Sequence, residues 1–185
     1  MNKKFYVFDF ESNNSKEAIE RGETNVWLWD IYDVYIDKHL NGNSIESFFE
    51  TLSKLKSSIL YAHNLKFDGN FIIAYLLNNN YTWVENKPSQ NQFTTLISDM
   101  GQFYSIKYNN GAGVIEFRDS LKKIDGSVEE MAYAYDLPIK KGSIDYVLDR
   151  PNGYIPTEEE YEYIWNDTEI VAKVLKFYYS VSIKQ

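Results

Sequence analysis

Phe5-Tyr6-Val7-Phe8-Asp9-Phe10-Glu11-Ser12 is the stretch on which the fold turns. Its first six positions are dominated by aromatic and β-branched residues, the composition of a short strand. In a strand, residues i and i+2 face the same way. Asp9 and Glu11 would therefore project together from the end of a buried strand. Two carboxylates held that close repel each other unless a cation lies between them. A divalent metal supplies that cation, and hard oxygen ligands suit Mg2+ or Mn2+. The plainer reading is a pair of strand-end acids facing water, since an Asp-x-Glu spacing is common.

Outward from this strand, the chain alternates strand-like and helical segments. Residues 26–36, rich in Trp, Tyr, Val and Ile, read as a second strand, and Gly42-Asn43 as a turn. Ser44 caps a helix expected to run to about residue 56. A buried strand is expected over 59–62 and a helix over 70–77. Strands over 93–97, 103–108 and 114–118 follow, the last two joined by a hairpin turn at Asn109-Asn110-Gly111-Ala112-Gly113. A short helix is expected over 128–135 and irregular chain over 138–156. Thr157-Glu158-Glu159-Glu160 fits a capping box. The helix it opens places Tyr161, Ile164, Thr168, Val171, Ala172 and Leu175 on one face. The order predicts a mixed α/β domain.

Composition narrows the function. The chain has 185 residues, with 19 Lys+Arg against 27 Asp+Glu, for a net charge of −8. That length suits one domain, or one domain with an insertion. A hydrophobic fraction of 44% is enough for a core. There is no cysteine, which excludes disulfides, thiolate metal sites and a Cys nucleophile. Apolar runs such as 71–77 are too short to cross a bilayer. Met1-Asn2-Lys3-Lys4-Phe5 lacks the apolar stretch of a signal peptide. A soluble cytoplasmic protein with no membrane partner is expected. The acidity argues against a generally basic nucleic-acid surface. It does not exclude nucleic acid, because bound cations at an acidic site reverse the local field. Lys66, Lys122, Lys123, Lys140 and Lys141 also lie in or beside the segments described next.

Two further segments carry acids in a similar context. His63-Asn64-Leu65-Lys66-Phe67-Asp68-Gly69 follows the apolar run 59–62 and leads into a helix, which puts Asp68 near a helix N-terminus. Asp68 could equally be a cap and Asn64 a turn residue. Tyr163-Ile164-Trp165-Asn166-Asp167 lies inside the last helix, where Tyr163 and Asp167 share a face. An acid beside an apolar stripe needs a partner or a metal; a surface Asp with a packing Tyr is the alternative. Together, Asp9, Glu11, Asp68 and Asp167 supply four carboxylates from a strand, a loop and a helix. Four such acids can hold two divalent ions, and Tyr163 could orient an attacking water through its hydroxyl.

The order Asp9-Phe10-Glu11-Ser12, then His63 to Gly69, then Tyr163 to Asp167 resembles the three exonuclease motifs of proofreading DNA polymerases. These are DEDD-type 3′→5′ exonucleases of the variant with a tyrosine before the last Asp. The similarity is closest to the exonuclease domain of bacteriophage protein-primed family B DNA polymerases. Asn64 to Gly69 matches that group's second motif almost throughout. Met100-Gly101-Gln102-Phe103-Tyr104, Asp119-Ser120-Leu121-Lys122-Lys123, Lys141-Gly142-Ser143-Ile144-Asp145-Tyr146 and Arg150-Pro151-Asn152-Gly153-Tyr154 match as well.

The resemblance implies an RNase H-like (DnaQ-like) fold, a mixed sheet with flanking helices. It implies Asp9, Glu11, Asp68 and Asp167 as ligands of two divalent ions, Mg2+ or Mn2+. Tyr163 would be the water-orienting tyrosine, and Lys141 a lysine placed to assist at the scissile phosphate. Ser12, His63, Asn64, Phe67, Ser120, Leu121 and Tyr146 match positions near single-stranded DNA. Phe67 and Tyr146 can stack on bases without reading sequence; Asn64, Ser12 and Ser120 can bond backbone or sugar. The expected activity is removal of nucleotides from the 3′ end of single-stranded DNA, giving nucleoside 5′-monophosphates. No polymerase motif occurs in residues 1–185, which read as one exonuclease domain. A polymerase module or a priming terminal protein is the implied partner, and host cytoplasm the implied compartment if the chain is phage-encoded. A weakly active interaction module is the rival reading, and an RNA-degrading relative of the same fold a lesser one.

Overall fold

The computed structural model describes residues 4–182. Residues 1–3, part of the N-terminal stretch read above, lie outside them. In chain order the described residues form β1 (Phe5–Ser12), α1 (Lys16–Arg21), β2 (Val26–Asp33), β3 (Lys38–Gly42) and α2 (Ile45–Ser53). Then come β4 (Ser58–Ala62), α3 (Lys66–Asn78), β5 (Thr82–Trp83), β6 (Gln92–Ile97), β7 (Phe103–Asn109) and β8 (Val114–Asp119). Helices α4 (Val128–Ala134) and α5 (Glu158–Ser182) close the chain. The residues divide into two compact units: Phe48–Asp125 with the start of β1, and Val7–Ser47 with the chain from Gly126 onward.

In the second of these units, β1, β2 and β3 form an antiparallel meander in which Asp9 stands opposite Asp30. Every residue of β2 is buried, and α5 packs on that strand. Trp27 and Leu28 meet Tyr163 and Ile164 in its core. The face of α5 expected from the sequence is largely the buried one: Ile164, Thr168, Val171, Ala172 and Leu175 are buried, and Tyr161, in the first turn, is half-buried. The capping box also forms. The Glu160 carboxylate accepts from the Thr157 N–H at 2.9 Å, and the Thr157 hydroxyl accepts from the Glu160 N–H at 3.3 Å.

The other unit is a mixed sheet. β4 runs parallel to β8, β8–β7–β6 are antiparallel, and β5 runs parallel to β6. Its core is aromatic, with Phe49 stacked on Tyr75 at 3.9 Å between centroids and Phe117 stacked on Tyr108 at 6.0 Å. Gly69 lets α3 approach β7: a Cβ there would meet the Phe103 ring at 3.0 Å and Ile106 at 3.1 Å.

Three elements were not expected from the sequence: α1, β3 and β5. The strand expected over 26–36 ends at Asp33, whose carboxylate accepts from the Tyr35 N–H at 3.0 Å. Asp37 then turns the chain at φ 54° into β3. This local bond outcompetes continuation of the strand. Helix α1 is fixed at both ends, by the Ser15 hydroxyl accepting from the Ala18 N–H and by Gly22 at φ 66°. Helix α3 starts at Lys66 rather than 70, after Asn64 has turned the chain at φ 71°.

Candidate active site

Strand β1 and helix α5 supply the acids of one unit. Glu11 and Asp167 are buried, and Asp9 is partly so. Their charges act on one another. Burial, and then the charge of Asp167, push Asp9 up to about 7, against the opposing pull of Lys141. Burial likewise pushes Glu11 well above the usual carboxylate range, reinforced by Asp9 and Asp167. The ammonium of Lys141 sits on Asp167 in a short ion pair. Tyr163, one turn before Asp167, is buried, and its hydroxyl lies 2.5 Å from that of Tyr146. Burial, then the bond to Tyr146, hold the Tyr163 phenol far above its ordinary value. A phenol held neutral in this way can orient a water without acting as a base. Lys141 lies 5.3 Å over the Tyr163 ring. Gly142 keeps that approach open: a Cβ there would meet the same ring at 3.3 Å. Ser12 is half-buried, and its hydroxyl accepts from the Asn14 side chain at 2.9 Å.

Lys141 and Tyr146 lie on the irregular chain between α4 and α5, held by two side-chain clamps. Asp149 accepts from Asn13 at 2.9 Å, from Ser15 at 3.0 Å and from both Arg21 terminal nitrogens at 3.0 and 3.1 Å. Arg150 is buried, its guanidinium 4.3 Å over the Trp27 ring. It donates to Glu160 at 2.7 Å and to the carbonyls of Asp145 and Leu148.

The second-motif residues fall in the other unit. Asn64 turns between β4 and α3, and the Asp119 carboxylate accepts from the backbone N–H groups of Asn64 and Leu121, each at 3.0 Å. His63 Nδ1 lies 3.0 Å from the Ser120 hydroxyl, which reaches the Ala62 carbonyl at 3.0 Å. Asp68 is buried in the first turn of α3 and is not its cap; the cap position is Leu65, which makes no side-chain capping bond. The Phe67 ring is 72% exposed, a large apolar surface kept in water. Leu121 is half-buried.

The expected site residues thus form two sets. Asp9, Glu11, Ser12, Lys141, Tyr146, Tyr163 and Asp167 belong to one unit, and His63, Asn64, Phe67, Asp68, Ser120 and Leu121 to the other. Among the described residues, no three His, Asp or Glu side chains form a ready-made cage for one ion. The donor chemistry nevertheless fits a hard divalent ion. The carboxylates are oxygen donors, and burial, reinforced by their mutual repulsion, raises the proton affinity of Asp9 and Glu11; a bound cation would offset both. Asp119, Asp149 and Arg150 were missed as organisers. Their signal was present, in acids at a strand end and beside a buried-type Arg-Pro, but nothing local names their partners.

A family model described as DNA polymerase type B, organellar and viral, matches residues 50–180. The chain belongs to this family. Curated type B relatives include the DNA polymerase of Bacillus phage phi29, 38% identical over 182 residues, and that of Bacillus phage Nf, 37% identical over 181. Each match covers 95% of this chain and 30% of the relative. Solved structures of phi29 DNA polymerase agree. The complex with single-stranded DNA superposes with TM-score 0.88 at 34% identity, over 97% of this chain and 32% of that one. The ternary complex with primer-template DNA and incoming nucleotide gives 0.87 at 34% identity, over 99% and 32%. The chain therefore spans about a third of the length of its type B relatives. The family resemblance read from the motifs and the RNase H-like α/β fold it implied are both borne out. Among the described residues, no helix is long and apolar enough to cross a membrane.

Proposed function

We propose that residues 1–185 act as a metal-dependent 3′→5′ exonuclease domain on single-stranded DNA, of the proofreading type. The observation that carries this reading is that Asp9, Glu11 and Asp167 lie close enough for their charges to act on one another, with Lys141 paired to Asp167 and lying over the ring of the buried Tyr163. Asp9, Glu11 and Asp167 are proposed as metal ligands, as is Asp68 of the other unit, for two ions, Mg2+ or Mn2+. Such ions would acidify bound water and offset charge on the phosphodiester. Tyr163, its hydroxyl held by Tyr146, orients the attacking water. Lys141, paired with Asp167, would be freed for a phosphate oxygen if cations took over that acid. Phe67 offers an exposed ring for a terminal base, and Ser12, Asn64 and Ser120 supply polar contacts to sugar and phosphate. The products are nucleoside 5′-monophosphates. The two phi29 polymerase structures named above hold DNA, which supports DNA as the substrate class. A polymerase module or a priming terminal protein is the proposed partner, and the bacterial host cytoplasm the proposed compartment.

The test is Mg2+-dependent shortening of a 3′-extended, 5′-labelled single strand. Asp9→Ala and Asp167→Ala should each lower it more than about 100-fold, beyond the loss typical of residues that merely support a ligand, with unchanged circular dichroism. Unaltered shortening by the double variant would overturn the reading. One observation favours the alternative of an interaction module: Lys141 already neutralises Asp167. No product with Mn2+ at high protein concentration, together with a stable complex with the priming protein, would select that alternative.

A further inference from the structure

Behind Asp9 lies a buried polar cluster that the exonuclease motifs do not include. Asp30 on β2 is the register partner of Asp9 across the antiparallel pair, so the two side chains share a face of the sheet. Asp30 is fully buried. One carboxylate oxygen, Oδ2, accepts from the Thr168 hydroxyl at 2.6 Å and lies 2.8 Å from His39 Nδ1. The other, Oδ1, is buried and is met by no side-chain donor; the backbone N–H of Ile31 is the nearby group that acts on the carboxylate. His39 comes from β3, and its ring is flanked by Tyr32 at 4.6 Å and Trp165 at 5.4 Å between centroids. Thr168 is the residue directly after Asp167 on α5.

A fully buried acid is costly and is kept only where something offsets it. An apolar residue at position 30 would serve the packing of β2 on α5 better. The cluster instead makes a short polar route from the Asp9 position, across the strand pair, to the helical turn that carries Asp167. It also places an additional carboxylate beside Asp9 in the strand register.

We propose that Asp30, held by Thr168 and His39, is a positioning residue for the acid site: it fixes the Asp167 turn of α5 against the Asp9 strand and strengthens the field that draws a divalent cation there. This rests on the metal-dependent reading above, and its readout is ion binding rather than nuclease activity.

The probe is Mn2+ alone, titrated into the chain and followed by the electron paramagnetic resonance of the free ion. Asp30→Asn keeps shape and removes charge; it should weaken Mn2+ binding about 10-fold, as loss of groups supporting metal ligands does. Thr168→Val should weaken it in the same direction, and Thr168→Ser, which keeps the hydroxyl, should restore wild-type binding. If Asp30→Asn does not fold, the Thr168 pair decides alone. Wild-type Mn2+ affinity in both Asp30→Asn and Thr168→Val, even with lowered melting temperatures, would reduce the cluster to a packing feature and overturn the proposal. A flat titration of the unaltered chain would overturn the metal reading itself, and this inference with it.

Discussion

Strand β1 and the irregular chain between α4 and α5 bring groups to the same cluster, but they are held in place by different means. β1 carries Asp9 and Glu11 on a strand whose backbone is paired in an antiparallel ladder with β2. Its geometry would survive loss of either side chain. The irregular chain carries Lys141 and Tyr146 and lies in no regular element from Tyr135 to Thr157. Its backbone is fixed by side chains: Asp149 toward Asn13, Ser15 and Arg21, and Arg150 toward Glu160. Acids that must stand close despite repulsion gain from a rigid ladder. On the proposed function, a lysine and a phenol that would engage the substrate can sit on a segment whose clamps permit small adjustments.

The contrast can be broken at the Arg150 clamp, where the largest effect on folding is expected. Arg150→Met leaves Glu160 buried without its cation, and removing one partner of a buried pair costs about 3–5 kcal/mol. Urea unfolding should show that loss, whereas Asp9→Ala, on the ladder, should leave the unfolding midpoint at or above the wild-type value by removing repulsion. Equal destabilisation by the two would mean that the strand and the clamped chain are held alike. The next effect is on rate. Tyr163→Phe removes the hydroxyl that meets Tyr146 and should slow hydrolysis by up to about 100-fold, the scale of a misplaced reactant. Because the phenol does not ionise, the rate–pH profile should keep its shape. A lost alkaline limb in Tyr163→Phe would show that Tyr163 works as a base.

The same contrast explains what could be read from the sequence. The aromatic and β-branched run from Phe5 to Phe10 announced β1, and the i, i+4 spacing of Tyr163 and Asp167 placed both on one turn of α5. The capping box at Thr157 and Glu160 was visible for the same reason: its partners are three residues apart. The residues 138–156 were rightly expected to be irregular, yet their order was invisible. Asp149 pairs with Arg21 over 128 positions and with Asn13 over 136, and no local pattern encodes such partners. Asp30 was hidden in another way. It interrupts an apolar strand, and only the registry of β2 with β1 and α5 shows that it backs Asp9 and meets Thr168. Strand β3 was missed because a single carboxylate bond, from Asp33 to the Tyr35 N–H, ends β2 early.

The smallest expected effect is a pH dependence that separates the two regions by sign. Burial pushes the Glu160 carboxyl up, but the Thr157 N–H, Arg150 and Tyr154 together pull it below its ordinary 4.5. The folded state then holds that proton less tightly than the unfolded chain does. Stability from this clamp is complete above pH 4.5 and is lost as pH falls through the lower folded value. Asp9 behaves oppositely: raised from 3.8 to about 7, it favours folding at low pH and loses that contribution as pH rises through about 7. In EDTA, which removes any bound cation, the thermal midpoint should therefore decline as pH rises from about 4 to about 7, level off beyond that, and fall again below about pH 4. Arg150→Met should weaken the acid limb, because Glu160 loses its main charge partner, and leave the neutral limb in place. Asp9→Asn should do the reverse. If one substitution altered both limbs equally, the ladder and the clamp would be parts of one electrostatic unit, and the contrast between them would not hold.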